Sequence, residues 1–187
     1  MFIQTEITPN PATLKFLPGC DVMGEGTANF TAAEQARHSP LATRLFTIDG
    51  VGGVFLGNDF VTVTKEPVAE DDWDVLKPMI LSAIMDHFTS GQPVLTERAA
   101  GADEDEGADD DEITAQIKEL IETRVRPAVA QDGGDIVFRS FEDGIVYLHM
   151  QGSCSGCPSS TATLRHGIEN MLRYYVPEVI EVRPVEF

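Results

Sequence analysis

The feature that most limits the fold of this chain is an acidic tract at residues 98–112. The tract holds eight carboxylates and one arginine, and it has no large apolar side chain. Such a segment cannot bury enough apolar surface to offset the entropy lost on ordering, and its like charges repel one another. We therefore predict a flexible linker at 98–112 between an N-terminal domain, residues 1–97, and a C-terminal domain, residues 113–187.

Hydrophobic patterning predicts a mixed α and β structure for residues 1–97. β-rich segments bounded by turn residues indicate strands at 2–7, 13–17, 51–56 and 60–64. Ser39 followed by Pro40 is typical of a helix N-terminus. A second helix is predicted from Asp71 to Gly91, because apolar residues recur there at helical spacing.

The C-terminal domain is predicted to have the order α-β-β-α-β, with one small sheet covered on one face by the helices. The predicted elements are a helix from Ile113 that ends at Pro127, strands at 136–138 and 145–150, a helix at 161–174 and a strand at 179–185. The Asp132-Gly133-Gly134-Asp135 segment is predicted to be a turn with positive φ at both glycines. The fold class is therefore α+β, with two small mixed domains.

The charge of the chain limits its partners. Its net charge is -18, so phosphate backbones and anionic lipid surfaces repel it. No apolar run approaches the length of a membrane helix. The first residues resemble neither a secretory signal nor an Arg-rich organelle leader. We expect a cytoplasmic protein that binds neither nucleic acid nor membranes.

Cys154 and Cys157 form a CxxC pair in the loop between the second predicted strand of the C-terminal domain and the following helix. Two thiols separated by two residues can point at one metal centre, because the turn between them brings both sulfurs to one side. Gly152 and Gly156 allow the backbone to come close and to turn its N–H groups towards the sulfurs. The positive end of the next helix favours thiolate over thiol. The loop is therefore predicted to bind a soft metal centre.

The number of ligands decides how such a site is completed. A closed tetrahedral site, or a cubane cluster, takes four protein ligands, and the C-terminal domain has only two cysteines. Cys20 lies in the other domain, and His149 and His166 are not spaced as ligands, so we expect all three to be non-ligands. The missing ligands are most simply Cys154 and Cys157 of a second copy, related by a two-fold axis.

Two other uses of the CxxC pair stay open from the residues alone, while a third, a purely structural pair of buried thiols, is disfavoured by the glycines on both sides and by the expected exposure of the strand–helix loop. A thiol–disulfide redox protein also has CxxC before a helix, but within a βαβ frame that is not predicted here. A zinc site between two subunits would use the same four thiolates. No arrangement of serine, histidine and carboxylate indicates catalytic machinery, so we do not expect an enzyme.

Long motifs in both domains resemble a known family. In the C-terminal domain they are Val125-Arg126-Pro127, Gln131 to Asp135, Gly152 to Ser160 and Thr163-Leu164. In the N-terminal domain they are Phe2 to Glu6, Thr8 to Pro11, Lys15 to Gly19, Ser39 to Ala42 and Leu45-Phe46. The first set resembles the NifU C-terminal domain of Nfu-type iron–sulfur proteins, and the second resembles the N-terminal partner domain of that family. The resemblance covers nearly the whole chain except the acidic tract.

The resemblance implies a scaffold or carrier that holds an iron–sulfur cluster between two copies of the chain. It implies a [4Fe–4S] cluster, with a [2Fe–2S] form as the alternative, held by Cys154 and Cys157. The implied partners are a second copy in the cluster-bound state, upstream cluster donors and apo iron–sulfur acceptor proteins. The resemblance gives no role to Cys20 or to the acidic tract.

Overall fold

The structure is a computed structural model that describes residues 1–67, 72–96, 111–155 and 158–185. Residue contacts divide the chain into two compact units, Met1–Asp103 and Glu104–Phe187. Each unit has its own sheet and its own buried apolar core. Among the described residues, no helix is both long and apolar enough to cross a bilayer. The predicted α+β fold class is confirmed.

The N-terminal unit is built on a five-stranded antiparallel sheet in the order β1-β2-β5-β4-β3. Its strands are β1 (Gln4–Ile7), β2 (Thr13–Leu17), β3 (Ala28–Phe30), β4 (Val51–Leu56) and β5 (Val61–Lys65), and its helices are α1 (Pro40–Phe46) and α2 (Trp73–Ser90). Both helices bury apolar residues, such as Leu41 and Ile80, in the same core as the sheet. The sequence did not predict β3, because three residues are too few to show an alternating pattern.

Ser39 is the N-cap of α1, as predicted, and it also ties α1 to a later segment. Its hydroxyl oxygen accepts a hydrogen bond from the N–H of Ala42 (3.1 Å), and the hydroxyl donates to the carbonyl of Val94 (2.7 Å). Pro40 takes the first helical position, where the missing N–H costs little. The buried hydroxyl of Ser39 therefore satisfies a backbone N–H of α1 and a backbone carbonyl of a later segment.

The C-terminal unit has a three-stranded sheet in the order β6-β7-β8. Its strands are β6 (Gly134–Glu142), β7 (Ile145–Gly152) and β8 (Glu181–Val185), and α5 (Pro158–Tyr175) connects β7 to β8. The β6–β7 pair is antiparallel and the β7–β8 pair is parallel. Apolar residues of the helices, such as Ile117 and Leu172, share one core with the sheet. The predicted α-β-β-α-β order is confirmed.

The first helix of this unit does not end at Pro127, contrary to the prediction. It consists of α3 (Glu112–Leu120), a π-helical turn (Ile121–Val125) and α4 (Arg126–Gln131). In the wider turn, the N–H of Arg126 bonds to the carbonyl of Ile121, five residues earlier. A regular α-helix has no such room for Pro127, which lacks an N–H and clashes with the carbonyl four residues before it. The helix therefore continues to Gln131.

Most of the predicted linker, residues 98–110, lies outside the described residues. Its last two residues lie at the start of α3: Asp111 is the N-cap, whose carboxylate accepts a hydrogen bond from the N–H of Thr114 (2.8 Å), and Glu112 is the first helical residue. Hydrogen bonds from Thr114, first from its side chain and then from its backbone, lower the pKa of Asp111. Two of the eight carboxylates therefore lie at the positive end of a helix, where negative charge is favoured.

Candidate metal centre

Cys154 lies in the loop that leaves β7 and enters α5. The residue is buried, with 5% of its surface exposed, and it belongs to the apolar core of the unit, contrary to the exposure expected for this loop. Its carbonyl accepts a hydrogen bond from the hydroxyl of Thr161, in the first turns of α5 (3.1 Å). That helix begins at Pro158, three residues before the predicted start at residue 161. The other predicted ligand, Cys157, lies outside the described residues, so the pair remains a prediction.

The turn from Asp132 to Asp135 supports the loop that carries Cys154. The N–H of Ser153 donates to the carbonyl of Gly133 (3.3 Å). The hydroxyl of Ser153 donates to the carbonyl of Asp132 (2.5 Å). The residue directly before Cys154 is therefore held to the turn by both its backbone and its side chain.

The two glycines of this turn serve different purposes. Gly133 has a φ of 81°, in the left-handed region that favours glycine. Gly134 does not have a positive φ, so that part of the prediction is wrong. It is needed for space instead, because a Cβ at Gly134 would lie 2.5 Å from the sulfur of Cys154 and 2.8 Å from the carbonyl oxygen of Gln151. The sulfur occupies the place that a larger residue at 134 would fill.

Burial raises the pKa of the Cys154 thiol to about 12. The side chain of Ser153 acts in the opposite direction, and the carboxylates of Asp132 and Asp135 contribute smaller parts of the increase. This raised pKa favours the thiol form of Cys154 at neutral pH, in contrast to the thiolate that the sequence predicts. Metal binding needs the thiolate, so a metal that binds Cys154 displaces a proton.

An ion pair that the sequence analysis missed lies beside the same turn. Arg126, the first residue of α4, donates to both carboxylate oxygens of Asp135, from Nε to Oδ1 (2.9 Å) and from Nη2 to Oδ2 (2.8 Å). Nη1 of Arg126 donates to Glu122 (2.8 Å). These carboxylates, Asp135 foremost, raise the pKa of Arg126, so the guanidinium stays charged. Both partners lie within the motifs quoted above, but their contact has no periodic signal in the sequence.

The donor type at this loop suits a soft metal. Thiolate sulfur is the usual protein ligand of iron–sulfur clusters and a common ligand of zinc. Among the described residues, which omit Cys157, no group of three or more His, Cys, Asp or Glu side chains could hold a metal ion. Nδ1 of His149 lies 3.1 Å from the carbonyl oxygen of Val185, and Cys20 is exposed in the N-terminal unit. Among the described residues, Cys154 is therefore the candidate metal ligand.

Comparison with known proteins places both units in one family. Residues 3–91 match the model described as scaffold protein Nfu/NifU N terminal, and residues 117–183 match the NifU-like domain. Proteins of Drosophila willistoni and Drosophila persimilis, both named NFU1 iron-sulfur cluster scaffold homolog, mitochondrial, are 53% and 54% identical to this chain over 186 residues. The solution NMR structure of a NifU-like protein from Saccharomyces cerevisiae is 27% identical, with a TM-score of 0.46, and the match covers 52% of this chain and 86% of that one.

These relatives also correct one prediction. The cytoplasmic location is wrong by this comparison, because both Drosophila proteins are named mitochondrial. The prediction depended on the first residues of the sequence. The alignments cover 99% of this chain and only 64% and 65% of the two relatives, so these first residues do not indicate a location. With both of its units matched in the expected order, the chain belongs to the Nfu/NifU family of iron–sulfur cluster scaffold proteins.

Proposed function

We propose that this protein binds a [4Fe–4S] cluster between two copies of the chain and delivers it to apo iron–sulfur proteins. Cys154 and Cys157 of each copy supply the four thiolate ligands. The cluster is cargo, acquired from an upstream donor and released to an acceptor. The protein binds and transfers it and is not an enzyme.

The observation that carries this proposal is the placement of Cys154. Its sulfur lies at a strand-to-helix loop, against a glycine that leaves room for it, and the preceding residue is held in place by two hydrogen bonds. A backbone held in this way gives the ligand a defined position in the loop, and the buried sulfur becomes accessible to a metal when the loop opens. The family match supports an iron–sulfur cluster as that centre.

Ligand counting supports the shared arrangement. A cubane cluster takes about four cysteine thiolates, and the NifU-like region of one chain has two. Two copies related by a two-fold axis place identical loops opposite each other. A cluster between two chains can leave when the chains separate, which suits transfer.

The burial and the raised pKa of Cys154 argue against the redox alternative. Cysteines that attack disulfides are exposed and have a lowered pKa, whereas Cys154 is buried and its pKa is raised to about 12. Zinc between the same four thiolates is the remaining alternative, because zinc and iron–sulfur clusters accept the same ligand type. The net charge of -18 supports protein partners rather than nucleic acid.

Anaerobic reconstitution of the full chain with iron and sulfide tests the proposal. We expect about four irons and four sulfides per two chains, the Mössbauer spectrum of a [4Fe–4S] cluster, and a dimer by analytical ultracentrifugation. Incubation with a purified apo iron–sulfur enzyme should then restore that enzyme's activity while the carrier loses its absorbance.

The three cysteines provide a matched set of variants. Cys154→Ala and Cys157→Ala should each abolish cluster binding, and Cys20→Ser should retain it. One zinc per two chains without sulfide would favour the zinc alternative. A reversible disulfide between Cys154 and Cys157 in a monomer, with reductase activity, would favour the redox alternative.

A further inference from the structure

The carboxylate of Asp135 is buried, with 5% of the side chain exposed, and both of its oxygens are used. Oδ1 accepts from Nε of Arg126 and from the backbone N–H of Ile136, and Oδ2 accepts from Nη2 of Arg126. All three distances are 2.8–2.9 Å. A paired, bidentate guanidinium–carboxylate contact has a defined geometry as well as a favourable energy.

This ion pair joins two elements that meet at the cysteine loop. Arg126 begins α4, which leads into the Asp132–Asp135 turn, and Asp135 is the second residue of β6. The ion pair thus links the two ends of the ten-residue segment 126–135, which contains α4, the turn and the start of β6. Gly134, next to Asp135, is the residue whose face lies against the sulfur of Cys154.

We propose that the Arg126–Asp135 ion pair is a positioning element for Cys154. It holds the turn against the cysteine loop and thereby sets where the sulfur lies and how easily the loop opens. Neither side chain needs to contact a metal. The further consequence, that the pair lengthens the lifetime of a bound cluster, rests on the function proposed above.

A role in general stability alone explains this arrangement less well. Replacing a buried ion pair by apolar residues often leaves stability unchanged or raises it, so such a pair is weak support for stabilisation and is better attested in specifying one geometry. Arg183 and Glu181 form a similar fork within β8, with distances of 3.1 Å, but both are partly exposed and two residues apart on one strand. That fork lies within one strand, and although Arg183 also contacts Tyr147 of the neighbouring β7, the pair does not hold the Asp132–Asp135 turn, which makes it the matched control.

The test measures the reactivity of Cys154 in the metal-free full chain. In a Cys20→Ser, Cys157→Ser background, Cys154 is the sole thiol, and mass spectrometry follows its alkylation by iodoacetamide. Arg126→Lys and Asp135→Glu keep both charges but break the fork geometry, so a change in rate reports position rather than titration. We expect each to raise the alkylation rate on the order of tenfold, and Arg183→Lys to leave it unchanged.

A variant that loses a similar free energy of unfolding for another reason separates a positioning role from general destabilisation. Val182→Ala removes buried methyl groups from β8, which contains neither Arg126 nor Asp135, and should lower the free energy of unfolding. If the alkylation rate rises as much in Val182→Ala as in Arg126→Lys at a matched loss of unfolding free energy, the positioning role is wrong. The second variant, Asp135→Glu, keeps the test valid if Arg126→Lys does not fold.

A cluster readout then tests the further consequence in chains that retain all three cysteines. After reconstitution, loss of the cluster to a chelator should be on the order of tenfold faster in Arg126→Lys than in Arg183→Lys. Equal rates would overturn the claim about cluster lifetime. If the unmodified chain takes up no iron and sulfide, the proposed function fails, while the alkylation result still decides the positioning role.

Discussion

The α-carbon of Gly134 faces the sulfur of Cys154 so closely that a methyl group has no room between them. The same methyl group would also meet backbone atoms, at 2.8 Å from the carbonyl oxygen of Gln151 and 3.1 Å from the nitrogen of Cys154. Rotation of the cysteine side chain alone therefore cannot accommodate it. Strand β6 and the cysteine loop can adopt their present spacing only with glycine at this position.

Gly134→Ala should therefore destabilise the C-terminal unit and displace the cysteine loop. We expect the free energy of unfolding to fall by about 1–3 kcal/mol, the usual cost of forcing an extra methyl group into a packed site. Urea denaturation followed by circular dichroism measures this loss, and iron content after reconstitution measures the effect on the site.

Gly167→Ala is the control for that substitution. Gly167 lies within α5, and a Cβ there would have no atom within 4 Å apart from its own helix. Alanine in a helix interior is favoured over glycine by up to about 1 kcal/mol. Stability should therefore rise, and iron content should not change. A Gly134→Ala protein as stable as wild type would show that the contact with Cys154 is not tight in solution.

Cys154 should alkylate far more slowly than Cys20 at pH 8 in the metal-free chain. The pKa of Cys20 is raised by desolvation and by Asp21, but that cysteine is exposed, whereas Cys154 is buried with a pKa of about 12. The rate at Cys154 should increase about tenfold per pH unit up to pH 11, because the thiolate fraction does. Peptide mapping after timed alkylation measures both rates, and a plateau for Cys154 below pH 10 would contradict the raised pKa.

His87 should make the stability of the N-terminal unit depend on pH. The residue is fully buried in α2, and within the described part of the chain neither ring nitrogen has a hydrogen-bond partner. Burial, and secondarily the charge of Arg44, lowers the pKa of His87 below its ordinary 6.5. The unfolded chain therefore binds this proton at a higher pH than the folded one. The stability that depends on neutral His87 should be fully present above about pH 7. The free energy of unfolding should then fall as the pH drops below 6.5, by up to about 1.4 kcal/mol per pH unit.

Fluorescence of the single tryptophan, Trp73, reports unfolding of this unit, because Trp73 begins α2. Urea titrations at pH 5, 6, 7 and 8 give the stability at each pH. His87→Leu should flatten the dependence between pH 7 and 5, and His38→Gln, at an exposed histidine of the same unit, should retain it. The account of His87 is wrong if the leucine variant keeps the wild-type slope.

Ser39→Ala should destabilise the N-terminal unit by about 1–3 kcal/mol. It removes the cap on α1, worth about 1 kcal/mol, and it leaves the carbonyl of Val94 without the hydrogen bond it now accepts. Trp73 fluorescence in urea measures the change. Ser82→Ala, on the exposed side of α2, should change the stability by less than about 0.5 kcal/mol.

The sequence predicts most of the fold, because the elements that form it carry periodic signals. Strand β7 alternates buried and half-buried residues along its whole length, and α1 begins at a serine cap followed by proline, so both were recognisable. Pro127 was misleading because a local widening of the helix accommodates it. Propensity rules treat proline as a stop and carry no information about such a π turn.

The candidate site is less predictable than the fold. The CxxC motif indicates Cys154 as a ligand, but the burial that raises its pKa depends on the core around it. The contact between Gly134 and Cys154 and the Arg126–Asp135 pair both join segments that are adjacent only after folding. No spacing rule within one element detects such contacts.

The π turn at residues 121–125 also constrains the length of this segment. Ile117, Ile121, Val125 and Val129 are spaced four apart and are all buried, although each four-residue step in an α-helix overshoots a full turn by about 40°. The π turn has more residues per turn, so it offsets part of this accumulated rotation. A π turn holds one residue more than a regular turn, so deleting one residue here would leave the following residues near their present rotation but would place Pro127 in a regular helix, where its ring clashes with the carbonyl four residues before it. Deletions of single residues at 121–125 should therefore be tolerated far less than substitutions on the exposed side of this turn.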